Sequence, residues 1–129
     1  MKKIILSAVA VFLVWTVVDF VLHGLLLKGV YEATASLWRP MAEMKRGLMS
    51  LVTFLAALGF SALWGNFVDR KTTSNGLKFG LWYGFAVGVG MGYGSYSYMP
   101  IPYSLALAWF LVMLVEGALA GLIASRINS

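Results

Sequence analysis

Apolar residues fill four long runs along this chain, and the polar residues collect between them. The runs cover 4–27, 46–68, 77–99 and 103–124. At ~1.5 Å per residue each run reaches ~33–36 Å, enough to cross a hydrocarbon core of ~30 Å. The pattern predicts an all-α fold: an integral membrane four-helix bundle, with short loops and one longer outer interfacial segment. Little chain is left over, so residues 1–129 are read as a single transmembrane domain.

The connections differ in kind. The segment 69–76 (DRKTTSNG) is short, polar and rich in turn formers. Pro100-Ile101-Pro102 is so short that the third and fourth helices must form an antiparallel hairpin. The longest connection, 28–45, contains Tyr31, Trp38 and Met41. It is expected to lie as an amphipathic segment on the outer membrane surface, with Tyr31 and Trp38 at headgroup level. Pro40 is expected to start a helix that runs on into the second span.

Composition agrees with a membrane setting. The chain is 60% hydrophobic and 12% charged, too apolar for a soluble domain of 129 residues. The net charge of +5 then reads as interfacial anchoring, because the Lys and Arg residues flank the apolar runs. No basic, aromatic-interleaved polar segment suggests nucleic acid as a partner. The expected partner is the lipid bilayer, with a homo-oligomer or a membrane protein as a further one. With four spans both termini share a side with Lys2, Lys3, Arg70, Lys71, Lys78 and Arg126. The other side has Lys28, Arg39, Lys45 and Arg46, with Glu32 and Glu43. The excess of cations puts both termini in the cytoplasm of a bacterial-type plasma (inner) membrane. The opening Met-Lys-Lys and apolar run imitate a secretory signal. The run is too long and lacks a small-x-small cleavage site, so it is read as a retained first helix.

Chain chemistry is sparse. There is no cysteine, which excludes thiolate catalysis, disulfides and Cys-based metal sites. The methionines are scattered and read as packing. Three ionisable residues interrupt the apolar runs: Asp19 and His23 in the first and Glu116 in the last. Such groups are costly at membrane depth and point to function by default. Asp19 and His23 stand at i, i+4 and are expected to form one hydrogen-bonding unit able to hold a proton. With Phe12, Trp15 and Thr16 they occupy an arc of about 100° on the first helix. Placing each span's midpoint at the membrane centre separates Asp19 and Glu116 by ~9 Å in depth. That predicts two separate sites. The ligand set is too small for a metal, no cofactor is expected, and no nucleophile–base arrangement supports an enzyme.

Two further patterns complete the reading. Gly76, Gly80, Gly84, Gly88 and Gly92 recur every fourth residue, forming one bare stripe suited to close helix packing. Small faces on the second helix (Thr53, Ala57, Ser61, Gly65) and on the fourth (Gly117, Ala120, Gly121, Ala124) are candidates to meet it. Tyr93 and Tyr96 lie deeper than an aromatic belt requires, which suggests a hydroxyl-lined polar vestibule beside His23. These readings favour a proton- or cation-linked transporter using Asp19, His23 and Glu116. The alternative is a structural or accessory membrane subunit that packs or oligomerises through the glycine stripe.

Overall fold

A computed structural model describes all 129 residues. It is all-helical, with no strand. Helix α1 spans Lys2–Asp19 and continues without a break as a π-helical segment, Phe20–Leu26. A strap follows, made of the short helix α2 (Lys28–Ala33) and 3₁₀ turns at Ala35–Leu37 and Met41–Glu43. Helix α3 is Arg46–Phe67. Helix α4, Thr73–Gly88, passes through a second π segment, Val89–Gly94, into α5, Ser95–Tyr98. Helix α6 is Tyr103–Ile127.

Three helices are long and apolar enough to cross a membrane: Lys2–Leu26, Arg46–Phe67 and Tyr103–Ile127. The third apolar run differs. Its α-helix stops at Gly88, where the i→i+5 pattern of a π-helix takes over.

Helix boundaries reach beyond the apolar runs where polar residues still have helical neighbours. Lys2 and Lys3 belong to α1, and Arg126 and Ile127 to α6. Thr73–Gly76, expected as loop, is the first turn of α4. The Thr72 hydroxyl accepts from the Asn75 backbone N–H at 3.1 Å and caps that turn.

Helices α4 and α6 pack along their whole length. Gly76, Gly80, Gly84, Gly88 and Gly92 are all buried. A Cβ added at Gly76 would collide with the Gly121 carbonyl, and one at Gly80 with that of Gly117. At Gly84 and Gly92 the obstacles are the carbonyls of Met113 and Ala106. The stripe therefore meets α6 of the same chain and not the small face of α3. Helix α1 lies between α3 and α6.

Most of the core is at one end of the bundle. Val11, Trp15, Ala57, Phe60, Trp64, Ala120 and Ala124 form it, with Phe79 and Tyr83 packed against them. Phe60 touches Phe79 and Tyr83 edge-on at 5.1 and 4.9 Å, so α3 reaches α4 here. The same end holds both chain termini. Trp64 Nε1 donates to the Asn128 carbonyl at 2.9 Å, and Ile4 lies against Gly65. At the opposite end a smaller core, Ile101, Leu105 and Ala106, sits beneath the strap. Between the two, α3 loosens: its buried residues are Ala57, Phe60, Ser61 and Trp64, and none precedes Ala57.

The strap corrects one expectation and refines another. Tyr31 and Trp38 are half-buried against the protein. They stack edge-to-face with each other at 5.7 Å, and Trp38 stacks on Trp109 of α6 at 5.9 Å. Trp38 Nε1 is also bonded to Thr34 Oγ1 at 2.9 Å, which an apolar pocket makes worth keeping. Pro40 starts only the 3₁₀ turn Met41–Glu43, because the extended backbone at Met44 breaks the chain direction before α3.

Candidate functional site

The ionisable residues meet where the regular part of α1 ends. Asp19 is the last residue of that α-helix, and His23 lies in the π segment that follows. Glu116 comes from the middle of α6 and is 4% exposed. Its carboxyl has the Asp19 side chain as a close neighbour. The expected separation of the two acids is therefore overturned.

Side-chain direction explains the difference. Every Cα–Cβ bond leans toward its own helix N-terminus. Helices α1 and α6 are antiparallel, so Asp19 leans down toward Glu116 and Glu116 leans up toward Asp19. Midpoint depth counts backbone positions and ignores this convergence. Trp15, one turn before Asp19, locks the level: its Nε1 donates to the Glu116 carbonyl oxygen at 2.8 Å in a buried bond. The Trp15 indole is in turn stacked on Tyr83 of α4, ring centres 6.4 Å apart.

An ionised carboxylate has no donor, so a hydrogen bond between two carboxyls requires a proton on one of them. Glu116 Oε1 is buried without a hydrogen-bond partner. No lysine or arginine stands within ion-pair distance of either acid, as His23 with Asp19 is the sole salt bridge in the chain. A shared proton is the compensation available to two acids in these apolar surroundings.

His23 is placed differently from the expected direct bond to Asp19. Its Nε2 stands 3.9 Å from Asp19 Oδ1, an ion-pair approach too long for a hydrogen bond. Its bonded partner is Tyr31 of the strap, with Nδ1 to the phenol oxygen at 2.6 Å. The same oxygen accepts from Trp109 Nε1 at 2.7 Å. Burial holds the Tyr31 phenol above its usual tyrosine range; the Trp109 bond opposes this and the Asp19 charge adds to it. A polar line thus runs Trp109, Tyr31, His23, Asp19, Glu116, from beneath the strap to the middle of the bundle. The Asp19 and His23 side chains are 37% and 36% exposed, so the line is open at its centre and closed at Glu116.

Other sequence candidates lie elsewhere. Tyr93 and Tyr96 are not brought to His23. Tyr93 is bonded to the Tyr103 hydroxyl at 3.0 Å and packs on Phe110, and Tyr96 packs on Tyr103. Tyr103 faces about 120° away from Trp109 around α6, so these tyrosines belong to the other side of that helix. Gly80, Gly84, Gly88 and Gly92 line the α4–α6 seam. An open groove of about 460 Å³ between α1 and α6 is wholly apolar, lined by Val17, Val21, Leu111 and Val115 among others. It contributes no chemistry to the polar line. No group of three or more His, Cys, Asp or Glu residues is arranged to hold a metal ion.

Tyr31 and Trp109 are the site residues that sequence reasoning missed. A straight helix would carry Tyr31 ~12 Å beyond His23. The chain turns at Leu27 instead, folding α2 back over the helix end. The only hint in the sequence is a tyrosine in the longest connection close after the sole histidine. The chain matches no family model, no curated protein and no solved structure.

Proposed function

We propose that this chain is a four-helix integral membrane protein, and that it is a proton- or cation-linked transporter working through Asp19, His23 and Glu116. The observation that carries the reading is the contact between the Asp19 and Glu116 carboxyls, with His23 at ion-pair distance. A pair of acids that holds one proton takes up a cation by giving that proton away. His23 is the group through which the proton leaves toward the strap side.

Several features support membrane insertion. Large apolar side chains face outward on every long helix, for example Leu13 and Val17, Leu48 and Val52, Trp82 and Phe85, Leu111 and Val115. A soluble protein rarely exposes so continuous an apolar surface. The helical stretch from Thr73 to Tyr98 lies alongside α6, which supports reading it as a fourth crossing. The cation excess at the end holding the termini favours a cytoplasmic placement of that end.

The accessory-subunit alternative draws less support from this arrangement. The glycine stripe is occupied by α6, and a partner reached through it would first have to displace that helix.

Proton flux into liposomes under an imposed diffusion potential tests the proposal. Asp19→Asn and Glu116→Gln are each expected to abolish flux while leaving the helical content intact. Unchanged flux in both variants would rule out the transport reading.

A further inference from the structure

We infer that Tyr31 and Trp109 are positioning residues that fix which ring nitrogen of His23 carries its proton, aiming an Nε2–H at Asp19. The donors around the Tyr31 phenol oxygen decide the direction. An indole nitrogen only donates, so the 2.7 Å contact puts the Trp109 hydrogen on the Tyr31 oxygen. The 2.6 Å contact between Tyr31 and His23 Nδ1 can run either way. If Nδ1–H donated, the phenol oxygen would accept two hydrogens and its own proton would have no acceptor, since Tyr31 Oη makes no third hydrogen bond. An unmet donor in a half-buried pocket is costly. If Tyr31 donates, the phenol proton and the Nδ1 lone pair are both met. Neutral His23 then accepts at Nδ1 and carries its proton on Nε2.

That nitrogen faces Asp19 Oδ1 at 3.9 Å. No other carboxylate stands within ion-pair distance of the ring. The strap contributes Tyr31, α6 contributes Trp109 through it, and Glu116 lies beyond Asp19. The strap is thus more than a cover, because it sets the proton on the side of the ring that faces the acid pair. The same logic orients metal-bound and catalytic histidines, where the bond to one nitrogen decides the role of the other. Relevance to transport rests on the proton-handling reading above, but the tautomer itself does not.

His23 is the only histidine, so ¹⁵N-histidine labelling of the full chain in lipid bilayers reports this ring alone. Under mildly alkaline conditions the wild type is expected to show a protonated Nε2 and a hydrogen-bonded, unprotonated Nδ1. Tyr31→Phe is expected to lose that preference and give mixed tautomers. Trp109→Phe leaves the phenol free to accept from Nδ1 and is expected to give a partial loss, which serves should Tyr31→Phe not fold. A wild-type ring protonated at Nδ1, or a single Nε2–H tautomer unchanged in the folded variants, overturns the inference. Flux lost in Asp19→Asn while the wild-type ring is protonated at Nδ1 overturns the tautomer alone, and unchanged flux beside the predicted tautomer overturns the transport reading alone.

Discussion

Replacing Gly80 by alanine should weaken the bundle, while the same change at Gly59 should strengthen it. Both are helix-interior glycines, so propensity alone favours alanine at each by about 0.5–1 kcal/mol. At Gly80 the added Cβ would overlap the Gly117 carbonyl and crowd the Gly121 Cα. Those obstacles are backbone atoms, which cannot rotate away. The helices must separate, and the neighbouring contacts at Gly76 and Gly84 are loosened with them. Overpacking of this kind costs about 1–3 kcal/mol. At Gly59 no atom lies within 4 Å of the added carbon, so only the propensity gain remains. The propensity gain is common to both, so the two variants should differ by the overpacking cost, about 1–3 kcal/mol, with the wild type between them. Reversible unfolding in mixed detergent micelles, followed by circular dichroism, measures both. Equal stability of the two variants, or a Gly80→Ala protein more stable than the wild type, would refute the packing argument.

Two other expectations concern the aromatic anchors. Trp15→Phe removes the buried indole bond to the Glu116 carbonyl and is expected to cost about 0.5–1.5 kcal/mol for that bond, with further loss from the smaller ring; unchanged stability in the same unfolding assay would show that the bond carries nothing. Above pH 10.0, the ordinary tyrosine value, the unfolded chain gives up the Tyr31 proton while the folded chain keeps it, so stability present below that pH is lost as pH rises through the folded value. Tyr31→Phe should make the alkaline fall in stability shallower by about one proton, and an identical slope would contradict the burial of this phenol.

Helices were legible in the sequence because apolar runs of this length have few other uses. Their ends were less so, since Lys2, Lys3 and Arg126 are polar yet sit in helical turns. The four-residue glycine period marked one bare face on the third run, but two other helices offered small residues to match it. Only the backbone approach distances favour α6 over α3. Asp19, His23 and Glu116 stood out singly, as charges in apolar surroundings. Their arrangement did not, because it depends on side-chain lean between antiparallel helices and on the turn at Leu27. Neither leaves a periodic trace. The two π segments, which begin just after Asp19 and at Val89, were equally silent.

The shared proton of Asp19 and Glu116 is the claim on which the functional account turns. Infrared spectra of the protein in lipid bilayers at neutral pH test it directly. The account predicts one protonated carboxyl C=O band, removed or shifted by Glu116→Gln and by Asp19→Asn alike. A wild-type spectrum without that band, or a band that neither substitution moves, would contradict it.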